Sequence, residues 1–261
     1  MYYIMAMRQL IDTHAHLDEI TDLETVIAQA RAAGIGAIVA VGSDLPSNQK
    51  VLSIAQKYED FVYPALGLHP WNLKDADIEQ TLAFIEAHIE EIAGIGEVGL
   101  DYHKRVRAVA DKEYQQQVLR PVLQLASKYQ KPVLLHSRYA WQDTFNLVRE
   151  AQLEKVVFHW YTGTSSVLRE IIKHGYFISA TPAVEYHEEH RRAVKEVPLS
   201  QLLLETDSPV VYRRGTPFEF ESRPADVLRS LKGVAELRDI DESRIAEITT
   251  QNARNLFGLR D

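Results

Sequence analysis

The chain reads as a single (β/α)8 barrel of the TIM type, and three observations predict it. Short apolar, β-branched runs alternate with helical patterns from end to end. The length of 261 residues is close to the roughly 250 of such a barrel. Polar residues able to do chemistry stand at the C-terminal tips of several runs, where barrel active sites are built.

Eight strands are expected, at Leu10–His14, Ala37–Val41, Val62–Leu68, Ile92–Val98, Val133–His136, Val156–His159, Tyr176–Ala180 and Leu202–Thr206. Helical stripes fall between them. Leu23, Val26, Ile27 and Ala30 share one face, and Gly34 ends it. Ile78, Leu82, Ile85, Ile89 and Ile92 form a second stripe, whose last member can equally open the next strand. Tyr114, Val118, Val122, Leu125 and Ala126 line a third, with Pro121 expected to kink or break it. Val167, Leu168, Ile171 and Ile172 make a fourth, closed by Gly175. An open doubly wound sheet would gather ligands at one switch point, whereas here they are spread over strands one, four, five, six and eight. One domain over residues 1–261 is expected, with residues 1–7 as a short extension and Met5 or Met7 as alternative starts.

Composition narrows the function. With 46% hydrophobic residues there is material for a large core. The absence of cysteine excludes disulfides and thiolate ligands, so a metal must take nitrogen and oxygen donors, and it suits a cytoplasmic protein. The net charge of −8 argues against nucleic-acid binding by bulk electrostatics, but leaves room for a site that grips a few phosphates locally. No segment has the length of a membrane span, and no obligate protein partner is evident.

The chemistry starts at His14 and His16. Residues i and i+2 of a strand share a face, so the two imidazoles converge. Glu97, His136, His159 and Asp207 follow four further hydrophobic runs. Singly each has a structural reading; at successive strand tips they read as a metal centre. The expected partition puts His14, His16 and Asp207 on one divalent cation and His136 and His159 on another, with Glu97 between them. Two cations about 3.5–4 Å apart clamp the attacking and leaving oxygens of a displacement and acidify a water. Asp207 is then the natural proton acceptor, and Glu97 and Asp207 are the catalytic carboxylates. Asp12 and Asp18 either support the ligands or cap the turn after strand one.

The runs Ile11-Asp12-Thr13-His14-Ala15-His16-Leu17-Asp18, Leu66-Gly67-Leu68-His69-Pro70, Gly96-Glu97-Val98-Gly99-Leu100-Asp101-Tyr102, Pro132-Val133-Leu134-Leu135-His136-Ser137-Arg138 and Leu204-Glu205-Thr206-Asp207-Ser208-Pro209 resemble the TatD family of metal-dependent deoxyribonucleases, from about Arg8 to the end. The resemblance implies a hydrolase on an amidohydrolase-like barrel, with the six family ligands at His14, His16, Glu97, His136, His159 and Asp207. Two places depart from the family pattern. His159 is followed by Trp160-Tyr161-Thr162-Gly163 rather than Cys-Phe-Ser-Gly, and Ser222-Arg223-Pro224 stands for Asn-Glu-Pro. Neither touches a ligand, and both are expected near the substrate.

Arg138 suits a phosphate bidentately, and His69 is a second substrate-binding candidate. Lys104, Arg105, Arg107, Arg213 and Arg214 are either basic rims or a solvated surface. Trp160 and Tyr161 either stack a terminal base or pack a loop. His88, His174, His187 and His190 receive no role. The leading expectation is a phosphodiesterase that cleaves DNA at single strands or ends, using two divalent ions (magnesium, manganese or zinc). An amide, ester or lactone hydrolase on the same site is the alternative. A metal-stabilised binding protein without turnover is the third; the complete ligand set and an acid/base argue against it.

Overall fold

The computed structural model describes residues 10–260, so the expected extension over residues 1–7 lies outside the described residues. Eight parallel strands follow in sequence order, each paired with the next: β1 Leu10–Ala15, β2 Ile35–Val41, β3 Val62–Leu68, β4 Gly94–Asp101, β5 Val133–Arg138, β6 Val156–Phe158, β7 Phe177–Ala180 and β8 Leu202–Leu204. The ring closes just past β8. The Asp207 N–H donates to His14 O at 2.9 Å, the His16 N–H donates to Ser208 O at 2.7 Å, and Thr13 Oγ1 donates to Leu204 O at 3.0 Å. Closure therefore joins the His14–His16 segment to the Asp207 segment, and the act that shuts the barrel also assembles half the site.

Helices α1 Leu23–Ala32, α2 Leu45–Lys57, α3 Ile78–Ala87, α4 Lys104–Arg107, α5 Lys112–Tyr129, α6 Trp141–Glu150, α7 Ser165–Lys173, α8 Glu188–Glu196, α9 Val227–Arg238 and α10 Glu242–Phe257 lie between and after the strands. Their starts follow local chemistry. Asp44, Asp77 and Asp111 each accept a hydrogen bond from a backbone N–H of the first turn, at Ser47, Gln80 and Tyr114. Gly34 and Gly175 stand past α1 and α7 with φ of +83° and +74°, the left-handed C-terminal turn expected of them. A short antiparallel hairpin, β9 Val211–Tyr212 with β10 Phe220–Glu221, follows β8.

Of the kink or break expected at Pro121, the break does not occur: α5 runs from Lys112 to Tyr129. The proline forfeits one intrahelical hydrogen bond, while burial of Val118, Leu119, Val122 and Leu123 around it holds the helix on the barrel. The fourth strand begins at Gly94 rather than Ile92 and runs on to Asp101, so Glu97 lies within the strand and not at its end. Ile92 is a buried residue of the preceding connection.

Two apolar layers place the site. The larger lies between strands and helices, with Ile38, Leu66, Ile95, Leu135, Phe158 and Ile178 facing Val51, Ile85, Leu123, Leu168 and Val234. The smaller fills the barrel: Val39, Ala65, Leu134, Val157 and Leu203, closed from below by Leu256, Phe257 and Leu259. Leu134, Val157 and Leu203 stand two residues before His136, His159 and Glu205. The strand period of two therefore sets polar side chains one step above the inner apolar plug.

Candidate metal centre

Five side chains gather around the Glu97 carboxylate. His14 Nε2 and His16 Nε2 each stand 3.3 Å from Oε2. His159 Nε2 at 2.8 Å and His136 Nδ1 at 2.9 Å stand by Oε1. Asp207 Oδ1 lies 3.5 Å from His14 Nε2 and 3.4 Å from His16 Nε2. All six expected residues thus meet at one place, and Glu97 divides them. Oε2 faces His14 and His16, which also face Asp207, while Oε1 faces His136 and His159.

Glycine makes this approach possible. A Cβ on Gly67 would lie 2.4 Å from Glu97 O, and one on Gly99 would lie 1.9 Å from His136 O. Gly99 also has φ +151°, outside the range of ordinary side chains. The glycines flanking the Glu97 run are therefore steric requirements for packing β4 against β3 and β5.

Two of the imidazoles are oriented from behind, and the His14 backbone is anchored. Asp101 Oδ2 lies 3.2 Å from His136 Nε2, which leaves Nδ1 to face Glu97. Glu205 Oε1 lies 3.4 Å from His159 Nδ1 and accepts the Trp160 N–H at 3.0 Å. Asp12, of two possible roles, takes the supporting one: it accepts from Thr206 N at 2.9 Å, Thr206 Oγ1 at 2.6 Å and His14 N at 3.3 Å. It thereby ties the start of the His14–His16 segment to the residue before Asp207. Asp101 and Glu205 are residues the sequence reading passed over. Asp101 shares strand parity with Glu97, and Glu205 with Asp207, so alternation within each motif was the signal that could have found them.

His69 also reaches the cluster, with Nε2 3.5 Å from Glu97 Oε1. Its Nδ1 accepts the Trp71 backbone N–H at 3.2 Å, which puts the proton of a neutral ring on Nε2. Burial pushes its pKa down to about 4, against the pull of Glu97, so the ring is neutral. In this tautomer His69 points an N–H at Glu97, and the ring also belongs to a third group of donors within 4.8 Å, His69–Glu97–His136.

The electrostatics are those of tightly packed opposite charges. Burial alone would raise the Glu97 pKa, but the imidazoles around it, His159 foremost, hold the carboxyl well below its usual range. Asp207 is likewise held down to about 2, with burial overcome first by the His16 hydrogen bond. Burial lowers His16, His136 and His159, yet all three end up raised because Glu97 with Asp207, Asp101 or Glu205 faces them. His14 is buried, and neither ring nitrogen has a hydrogen-bond partner among the described residues. The buried His14 ring, left without a partner beside two ionised carboxylates, offers a nitrogen donor that a divalent cation would take up. The nitrogen and oxygen donors, in groups within 4.8 Å such as His14–His16–Asp207 and His14–Glu97–His159, fit such an ion.

The cluster forms the floor of a cavity of about 820 Å³. Arg138, Trp71, Tyr139, Trp160 and Arg214 are among its walls. Other expected residues lie elsewhere. Lys104, Arg105, Arg107 and Arg213 do not line it, and Arg213 instead pairs with Glu185 at 3.3 Å. Tyr161 is buried and donates its hydroxyl to Thr164 O at 2.8 Å, so it packs its loop, whereas Trp160 reaches the cavity. Ser222 and Arg223 also do not line the cavity: they bind Val210 O, Asp226 and Asp22, which anchors the end of the hairpin. His187, given no role from sequence, borders the cavity.

The profile of the family described as TatD related DNase matches residues 11–258. The chain belongs to the TatD family. The human deoxyribonuclease TATDN3 is 36% identical to this TatD-family chain over 263 residues, covering 95% of it and 94% of the human protein. The metal-dependent hydrolase YabD of Bacillus subtilis (strain 168) is 36% identical over 261 residues, covering 95% and 98%. The crystal structure of the TatD homologue YJJV from Escherichia coli K12 matches with a TM-score of 0.88 at 29% identity, over 97% of this chain and 100% of that one. Family and barrel thus agree with the motif reading, and the chain is a TatD-family metal-dependent hydrolase.

Proposed function

We propose that the protein hydrolyses phosphodiester bonds at DNA ends, with two divalent cations held on either side of Glu97. The division of the Glu97 oxygens between two sets of imidazoles is the observation that carries this reading. On it, His14, His16 and Asp207 would hold one cation and His136 and His159 the other, with Glu97 available to both. Bound there, the cations would acidify a water and offset the negative charge that gathers on phosphate during displacement.

The residues of the chain divide the remaining work. Asp207, ionised and at the cavity floor, accepts the proton of the attacking water. Its φ of +50° aims the carboxylate across to the His14–His16 segment, and the Asp207 N–H bond to His14 O holds it there. His69 donates its Nε2 proton to a phosphate oxygen that enters beside Glu97. Arg138 on the wall, fixed through Nε 3.1 Å from Asp101, offers its outer nitrogens to the same phosphate or its neighbour. Glu205 and Asp101 keep His159 and His136 turned inward.

DNA as the substrate is supported by the human relative, a deoxyribonuclease, and by the arginines at the wall of a net acidic molecule. A cytoplasmic location agrees with the cysteine-free composition. Among the described residues no helix is long and apolar enough to cross a membrane. The deciding assay incubates metal-free protein with end-labelled single-stranded DNA plus magnesium, manganese or zinc, beside Asp207→Asn. Metal-dependent shortening that the variant lacks is expected. A metal-loaded protein that leaves DNA intact would refute the reading and turn attention to esters and lactones.

A further inference from the structure

Trp71 follows β3 at the cavity wall and is 55% exposed. An indole this exposed is ordinarily free to reorient, but this one is fixed. Its Nε1–H donates to Asp101 Oδ2 at 2.6 Å, and its backbone N–H donates to His69 Nδ1. Asp101 is fully buried and is itself held by the His103 N–H at 2.8 Å and by Arg138. The Arg138 guanidinium lies 5.6 Å from the Trp71 ring centroid, and the His136 ring lies 6.2 Å from it. The result is a half-exposed indole held still, with the Arg138 guanidinium over its ring and the His69 and His136 rings of the candidate metal centre packed against it at steep angles.

Packing does not account for it, because more than half of the side chain meets water. Nor does loop structure: the indole hydrogen bond spends the charge of a buried carboxylate to hold an exposed ring still. A flat apolar face next to phosphate-binding groups matches one ligand chemistry, a nucleobase joined to the phosphate being cleaved. Base–aromatic stacking tolerates any base, since every base has a π-face.

We propose that Trp71 is the stacking platform for the unpaired nucleobase that adjoins the scissile phosphate. The inference rests on the phosphodiester reading and names what that site prefers: a free or frayed strand end, because a base within a duplex must first leave its stack. Tyr139, 62% exposed with φ +57° and placed directly after Arg138, extends the aromatic wall beyond the arginine.

The test uses the metal-loaded full chain and short single-stranded oligonucleotides, DNA and RNA in parallel since either supplies the base. Each is made with a normal base or an abasic tetrahydrofuran unit on one side or the other of the cleaved bond. Wild type is expected to show a KM about ten- to a hundredfold lower for the base-bearing member on one side, with kcat little changed. Trp71→Ala, at an unchanged melting temperature, is expected to erase that difference, and Trp71→Phe to keep most of it. A Trp71→Ala protein that retains the full preference overturns the proposal, as does a wild type without one. Turnover of neither oligonucleotide overturns the phosphodiester reading together with it.

Discussion

Asp101 Oδ2 stands 3.2 Å from His136 Nε2, and the opposite ring nitrogen of His136 stands 2.9 Å from Glu97. A buried carboxylate thus fixes which nitrogen of a candidate ligand faces the site. The same carboxylate binds Trp71 and Arg138, so one residue sets both the metal side and the substrate side of the cavity.

Asp101→Asn tests that link. The amide preserves size but removes the charge that favours His136 as an inward-facing base. Cation affinity is expected to fall about ten- to a hundredfold, measured by competition with a chromophoric chelator. The far-ultraviolet circular dichroism should stay that of the wild type.

The histidines predict a pH dependence of opposite sign with and without metal. Burial opposes charge on His16, His136 and His159, but the facing carboxylates win and raise all three. In metal-free protein their contribution to stability is complete below the ordinary histidine value of about 6.5 and is lost as pH rises through the raised values. A cation needs these rings unprotonated, so its own contribution grows over the same interval. The melting-temperature gap between zinc-loaded and chelator-treated protein should therefore widen from pH 6 to pH 8.5, and metal binding near neutrality should release protons into the buffer.

Gly99→Ala should damage the site through the backbone. A Cβ there meets His136 O at 1.9 Å, in a conformation with φ +151°. A loss of about 2–4 kcal/mol in urea unfolding is expected, with weakened metal binding because β5 carries His136. Gly215→Ala, in open space at φ +77°, separates conformational strain from this clash and should cost less.

Arg138→Ala should raise KM for DNA and reduce the salt slope of binding by about one, as loss of a single phosphate contact requires. The fluorescence anisotropy of a labelled oligonucleotide across a salt series reads this directly.

Much of this was legible in the sequence because barrel strands repeat one grammar, an apolar run ending in a polar residue. Leu134–His136 and Val157–His159 obey it, so strand and candidate ligand are legible together. That α5 continues through Pro121 is not legible locally, because propensity weighs against a proline in a helix, while the packing that outweighs it is contributed by other elements. Ser222 and Arg223 were placed near substrate by family pattern, but their partners, Val210 and Asp22, are set by how the hairpin folds back. Trp71 and Asp101 belong to different strand ends, and their 2.6 Å contact exists only once the barrel has brought β3 and β4 together. Pairings of that kind have no signature along the chain.

On the proposed function, Glu97 joins two cation sites. Anomalous diffraction from crystals of the full chain soaked in manganese, collected at the manganese edge, tests it most directly. Two peaks are predicted, one among His14, His16 and Asp207 and the other beside His136 and His159, with a Glu97 oxygen on each. A single peak, or one coordinated by His69 Nε2, would contradict it.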